Sequence, residues 1–473
     1  MARDCDAVVV GSGPNGLSAA IVLARAGMKV VVLEAASVAG GGTRTSELIL
    51  PGFKHDVCSA IHPLAAISPV FREWPLEEFG LEMVHPGVPL AHPLDDGSAG
   101  VLDVSIEKTA EGLGSDGPAY TKLMGRFARN AETLVDEALR PFRLPHHPFL
   151  MASFGLVGIR SAAGLATSRF KEEKTRALLA GMAAHSMLRL DERLTGGVAL
   201  LLGILGHSVG WPLPVGGSQA IGDALVRYFE SLGGTLVTNH RVKSVDELPS
   251  ARAAVFDVTP RQLDEIAGER LTPRYRQRFR KFRYGPGVFK IDLALDGPVP
   301  WKAEECTRAG TVHLGGTLPE IAASEGASVS GQVAERPYVL VAQQSLFDKS
   351  RAPEGKHTLW AYCHVPAGST VDMTDRIESQ IERFAPGFKE LIIGRHVMNA
   401  AEMETYNPNY IGGDINGGVQ DLRQHFARPM ARLHPHTTSN KTIFLCSSST
   451  PPGDGVHGLC GAFAAKEVLR RLN

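Results

Sequence analysis

The sequence predicts an α/β fold: a doubly wound domain, assembled from separated stretches of chain, with an α+β domain inserted into it. Three observations lead there. Residues 7–34 read as strand, glycine-rich turn, helix and second strand. A second stretch of alternating helix and strand, 212–258, has no glycine fingerprint of its own and so continues the first domain. Around it lie a helical stretch, 117–195, and β-rich runs at 288–295, 338–345 and 357–365. The expected partition gives 1–65, 212–275 and 420–473 to the first domain. The second, substrate-binding domain takes 66–211 and 276–419, helical over 117–211 and sheet-forming over 286–400.

The first strand, Ala7 to Val10, runs into Gly11-Ser12-Gly13-Pro14-Asn15-Gly16. Gly11 permits a tight turn, Gly13 lets backbone approach a pyrophosphate, and Gly16 lets helix pack on strand. The helix that starts at Pro14 and Asn15 points free N–H groups and its positive dipole end at the phosphates. Glu34 closes the second strand 18 residues beyond Gly16, with Ala35 beside it. A carboxylate there accepts hydrogen bonds from a ribose and repels a 2′-phosphate, which disfavours an NADP-type nucleotide.

Composition narrows the classes. A chain of 473 residues suggests two or three domains, and a formal charge of −1 leaves no basic field for nucleic acid or anionic lipid. Cys5, Cys58, Cys306, Cys363, Cys446 and Cys460 are scattered, with no C-x-x-C and no metal-type clustering. Paired-cysteine redox chemistry and a metal site are therefore not expected, and a reducing compartment is. The fingerprint begins too early to leave room for a targeting segment, so a soluble, cytoplasmic protein is expected. The most apolar run, Val198 to Leu205, is far short of the roughly 20 residues that span a bilayer. Phe149 to Ala166 is also apolar and is expected as a buried helix, although its composition leaves room for peripheral membrane contact. A homodimer is compatible with all of this.

Beyond Glu34 comes Gly40-Gly41-Gly42-Thr43-Arg44-Thr45, which resembles the second FAD motif of the glutathione-reductase-like flavoproteins. There a glycine pair passes under the pyrophosphate and is often followed directly by arginine. With Gly41-Gly42 as the pair, Thr43 holds the arginine position and Arg44 is displaced by one, which leaves a direct arginine–phosphate contact open.

Four further stretches extend the likeness over the whole chain: Pro214-Val215-Gly216-Gly217-Ser218, Ser345 to Leu359, Ala385-Pro386-Gly387-Phe388 and Pro452 to Gly458. Together with the fingerprint they resemble FAD-dependent oxidoreductases of the phytoene-desaturase and carotenoid-isomerase class, which share a fold with the monoamine oxidases. The run Asn407 to Gly418 resembles the pyridine-nucleotide-disulphide-oxidoreductase-domain-containing branch. The resemblance implies a glutathione-reductase-like FAD domain, with Gly455, Val456 and His457 at the isoalloxazine end and the Val242 amide at the adenine. A helix N-terminus after Gly455 would stabilise charge developing on the flavin. Family proteins carry a glycine and an acid before this turn, where Cys446-Ser447-Ser448-Ser449 stands here.

Hydride transfer to a flavin needs orientation and exclusion of water more than acid–base residues. Two catalytic candidates remain, Lys290 and His457. Lys290 lies in a strand resembling that whose lysine holds a water at the flavin of amine oxidases. It shares a strand face with Asp292, so a simple Lys–Asp pair is the other reading. His55 and His62 follow the glycine-rich loop, toward flavin or substrate. Asp414 and Asn416, between glycine pairs, read either as Asx-turn residues or as polar contacts to the ligand. Trp211, Trp301 and Trp360 read as core. The function expected is an FAD-dependent dehydrogenase, desaturase, oxidase or redox-neutral isomerase acting on a hydrophobic molecule, with oxygen or a quinone as acceptor. Amine oxidation is the alternative, and an FAD-fold scaffold without turnover is the second.

Overall fold

The computed structural model describes residues 4–141 and 143–472; residues 1–3, 142 and 473, which the expected domain ranges include, lie outside them. Two sheets organise the chain, and their strands alternate along it. In chain order these are β1 (Ala7–Val10), β2 (Val30–Leu33), β3 (Val88–Pro93), β4 (Ala99–Leu102), β5 (Thr235–Val237), β6 (Ala253–Phe256), β7 (Gly287–Leu295), β8 (Ala309–Leu314), β9 (Val339–Ala342), β10 (His357–Val365), β11 (Ile392–Met398) and β12 (Ile443–Leu445). Five form a sheet in the order β12-β6-β1-β2-β5, and every pairing in it is parallel. The other seven form a mixed sheet, β11-β7-β10-β9-β8-β3-β4, antiparallel except where β8 meets β3.

The parallel sheet explains its own sequences. β1 is Ala-Val-Val-Val and fully buried, as a central strand covered on both faces requires. Against it pack α1 (Pro14–Arg25), α5 (Gln219–Ser231) and α6 (Leu459–Leu472). Pro14 sits in the first turn of α1, where its missing N–H costs nothing. Gly11 has φ +99°, and a Cβ on Gly16 would lie 2.1 Å from the Gly11 carbonyl oxygen. Neither position tolerates a side chain. The terminal helix starts at Leu459, later than the expected Val456, because Gly458 takes φ +68°.

Against the mixed sheet packs α3 (Glu173–Ala184); α4 (Thr195–Ser208) packs on α3, and α2 (Pro148–Gly158) on α4. β3 and β4 form one edge of this sheet, although they precede the helical stretch in the chain. A larger correction concerns α2, expected to be buried. Phe149 is 85% exposed and Leu156 76% exposed, while Met151, Phe154 and Gly158 line an internal cavity. The helix is apolar on both sides, so composition alone does not say which side is covered.

A buried ionic cluster joins the two sheets. Arg351 donates to Asp56 (Nη2–Oδ2 2.7 Å) and to Asp348 (Nε–Oδ2 3.1 Å), and all three are buried. Asp56 also accepts from the Ser218 amide at 2.8 Å, and Asp348 from the Gly216 amide at 2.7 Å. The Pro214–Ser218 turn and the 345–359 stretch, far apart in sequence, are thereby fixed to each other and to the segment behind the glycine-rich loop.

Candidate active site

A cavity of about 1130 Å³ runs from the glycine-rich turn to the face of the mixed sheet. That exceeds the roughly 300–1,000 Å³ of an ordinary small-molecule site, so a dinucleotide and a second ligand can share it. At one end its wall is made by Gly11, Gly13, Pro14, Asn15, Glu34, Ala35, Gly41, Gly42, Arg44, Val242, Gly455 and Val456. Sequence reading named all of these, and the fold brings them to one place.

Glu34 is fixed by four donors. The Ser12 amide and hydroxyl donate to Oε2 (2.9 and 2.6 Å), and the Ala36 amide and Arg44 Nη2 to Oε1 (2.8 and 3.2 Å). Arg44 also donates to the Val38 carbonyl at 3.0 Å, and its guanidinium lies 5.7 Å over the Tyr406 ring. The guanidinium is therefore spent on Glu34 and the ring face. Thr43 is not on the wall. Its side chain turns inward, the hydroxyl donating to the Gly40 carbonyl at 2.8 Å. We expect Glu34→Ala to lower FAD affinity about ten- to hundredfold, the worth of hydrogen bonds to a charged acceptor. A fluorescence titration of the apoprotein with FAD giving the wild-type Kd would place the ribose elsewhere.

Asp257, one residue past β6, was not foreseen. Its Oδ2 accepts from the Gly16 amide at 2.9 Å, at the positive end of α1 and on the cavity wall. Burial raises its carboxyl to about pH 7, the Gly16 amide opposes this, and the nearby Glu34 adds to it. The unfolded chain releases this proton near pH 4, so the folded protein holds an extra proton between about pH 4 and 7. Stability contributed by this group is lost as pH rises through that window. Asp257→Asn, which keeps an acceptor for Gly16, should raise the melting temperature more at pH 8 than at pH 5. Equal gains at both would remove Asp257 as the cause.

Around the C-terminal turn, Gly455 and Val456 reach the cavity but His457 does not. Its imidazole is fully buried, with Nδ1 accepting from the Leu459 amide at 3.0 Å and Nε2 donating to the Asp454 carbonyl at 3.0 Å. Burial lowers its pKa to about 4, so it is a neutral cap on α6 rather than an acid facing ligand. Ser447 lines the wall, and its hydroxyl, like Asn15 Oδ1, has no partner among the described residues. The hydroxyl fits as a donor to a phosphate or ribityl oxygen of FAD, and Asn15 Oδ1 as an acceptor for a sugar or ribityl hydroxyl.

Lys290 follows the second of its two readings, the Lys–Asp pair. It lies on the cavity side of the mixed sheet, in register with the wall residue Tyr362, yet is not itself on the wall. It pairs with Asp292 and lies 5.9 Å from the Trp360 ring centroid, and both partners are buried. Two charges out of water must neutralise each other, which holds Lys290 down. His55, buried 3.7 Å from Asp292 and with its pKa lowered to about 4 by burial, is likewise behind the wall. Asp414 is another interior group, accepting from the Gly285, Gly418 and Asn416 amides at 2.7, 2.9 and 2.8 Å. Its role is to pin the 412–418 loop, while Asn416 and His62 do reach the cavity. His62 is held through Nε2 by the Ser218 hydroxyl at 2.8 Å. Trp301 is core, donating to Gln343 at 2.9 Å, but Trp211 and Trp360 form cavity wall together with Tyr362 and Leu340. Among the described residues no cluster of three or more His, Cys, Asp or Glu could hold a metal ion.

Comparison with known proteins agrees with this architecture. Residues 9–74 match the NAD(P)-binding Rossmann-like domain family. The mouse (Mus musculus) pyridine nucleotide-disulfide oxidoreductase domain-containing protein 2 is 26% identical, over 99% of this chain and 94% of its own. Hydroxyneurosporene desaturase of Cereibacter sphaeroides is 33% identical over 40% of this chain and 36% of its own. Among solved structures, a redesigned putrescine oxidase superposes with a TM-score of 0.63 at 16% identity, covering 98% of this chain and 99% of that one, a likeness of fold.

Proposed function

We propose that this FAD-dependent oxidoreductase withdraws hydrogen from an apolar small molecule lying between the cofactor loops and the mixed sheet. The observation that carries the reading is one continuous cavity lined both by the glycine-rich turn with Glu34 and by the apolar and aromatic Trp211, Trp360, Tyr362 and Leu340. FAD, when bound, supplies a two-electron acceptor for a hydride equivalent. The N-terminus of α1 and Gly13 would hold its pyrophosphate, Glu34 its ribose, the Val242 amide its adenine, and Gly455 with Val456 its ring end. Trp211, Trp360, Tyr362 and Leu340 then fix the substrate and exclude water. Net oxidation would pass electrons to oxygen or a quinone, and return of hydrogen to the substrate would make the enzyme an isomerase.

Amine oxidation draws support from the fold and from Lys290. Because Lys290 is tied to Asp292 behind the wall, the apolar reading is preferred. Anaerobic mixing with polyenes, fatty acyl compounds and amines should bleach the flavin with one of the first two classes, and air should restore it. Bleaching by amines alone would reverse the choice.

The exposed side of α2 supports access from a lipid surface. Phe149 and Leu156 stand in solvent while the other side of the same helix lines the cavity. No single helix among those described is long and apolar enough to cross a membrane. We therefore propose that α2 lies in the interface, its apolar face buried a few ångströms deep. Co-sedimentation with phosphatidylcholine vesicles should be lost in Phe149→Glu/Leu156→Glu with FAD content unchanged. Equal binding of both proteins would rule this out.

A further inference from the structure

The apolar part of the cavity is lined by residues whose polar atoms nothing among the described residues satisfies. Ser186, Thr311 and Trp360 line it, and their hydroxyls and indole N–H are buried with no hydrogen-bond partner among the described residues. An unsatisfied buried donor or acceptor costs about 1–3 kcal/mol, so three on one apolar wall call for an explanation.

Their placement is set by the fold. Across the mixed sheet Trp360 is in register with Ala342, and Ala342 with Thr311, so the three form one row on one face. Neighbouring strands lie about 4.8 Å apart, which puts the indole and the threonine roughly 10 Å from each other with only an alanine between. Two residues along β8, on the same face, His313 shares a hydrogen bond with His185 (Nε2–Nε2 3.1 Å). That contact brings the end of α3, with His185 and Ser186, over the Thr311 end of the row. Burial lowers the pKa of His185 to about 3 and drives His313 well below its usual value. The cationic side chains on the wall, Arg44, Arg241 and Lys243, are at the dinucleotide end.

We propose that Thr311, Ser186 and His185 form a recognition point for a neutral oxygen function, a hydroxyl or carbonyl, carried by an otherwise apolar substrate. An oxygen seated there restores the hydrogen bonds that the wall lacks. A carboxylate would find no counter-charge, and a pure hydrocarbon would leave the hydroxyls unpaired. A site built to bond an oxygen discriminates strongly against the analogue without one. This inference rests on the apolar-substrate reading and narrows it.

The test uses FAD-loaded enzyme and three probes of equal chain length: decan-1-ol, decane and decanoate. Binding is read from the shift of the flavin absorption spectrum and from tryptophan quenching. Decan-1-ol should bind tightest of the three. In Thr311→Val its Kd should rise about three- to tenfold while that for decane stays or falls. Ser186→Ala, on a connecting segment, gives the same readout if the β8 substitution lowers FAD content. An unchanged alcohol-to-alkane ratio in a folded variant overturns the proposal, as does decanoate binding tighter than the alcohol. If no probe binds, the apolar-substrate reading fails as well. If decane and decan-1-ol bind alike, that reading stands and only the oxygen site falls.

Discussion

Gly13→Val is expected to yield a folded protein that emerges from purification colourless, with no stoichiometric FAD. A Cβ at residue 13 would lie 2.7 Å from Asp257 Oδ2, which is already engaged with the Gly16 amide. The side chain therefore cannot retreat toward β6. A branched one must project into the space over the N-terminus of α1, where the pyrophosphate has to approach backbone closely. The loops on the other side are equally tight, since a Cβ on Gly41 would come within 3.0 Å of the Gly13 Cα. Absorbance at the flavin bands, normalised to protein, is the measurement. Wild-type stoichiometry in Gly13→Val would show that the cofactor does not sit on this turn.

Arg351→Met should destabilise the fold by about 3–5 kcal/mol at pH 7, the cost of stranding buried partners of a removed charge. Burial by itself would raise the Asp56 carboxyl; the Arg351 guanidinium, with the Ser218 amide and the Thr45 hydroxyl, holds it below its ordinary value. A depressed carboxyl contributes stability above the unfolded pKa, near 4, and loses it as pH falls through the folded value. The deficit of the variant should therefore be widest at neutral pH and shrink in acid, where a buried Asp56 no longer held down by the guanidinium takes up a proton. Urea unfolding of both proteins at pH 7 and pH 4 measures it. A deficit below about 1 kcal/mol at pH 7 would mean that the cluster is solvated in a way its burial denies.

What could be read from the sequence was what local periodicity and backbone geometry determine. β1, α1 and β2 carry their apolar spacing and obligatory glycines within 27 residues, and the cofactor end of the cavity follows from them. The mixed sheet was half legible. β7 and β10 are long and β-branched or aromatic, whereas β11 is an edge strand with half-exposed polar positions and gave no signal. The site candidates that do not reach the cavity share one cause. Lys290, His457, Asp414 and Thr43 each satisfy a neighbour within three or four residues or a nearby loop, and sequence shows a side chain's chemistry without showing what already occupies it. Asp257 and Thr311 failed in the opposite direction. Nothing marks them locally, because their surroundings come from chain tens to hundreds of residues away.

The strand order of the parallel sheet has a consequence for biosynthesis. The glycine-rich turn leaves the ribosome first, but β6, which supplies Asp257 beneath it, comes 242 residues after the end of β1, and β12 comes later still. At about 5–20 residues per second, the chain from residue 11 to residue 443 takes roughly 20–90 s to make. Until residue 256 is made β1 has no neighbour opposite β2, and when β12 emerges the cleft still lacks Gly455 and Val456. Capture of FAD is therefore a post-translational event, a ligand-driven final locking whose strength tracks the free FAD concentration. Cells short of flavin should accumulate this chain in a protease-sensitive form, however well its first domain is encoded.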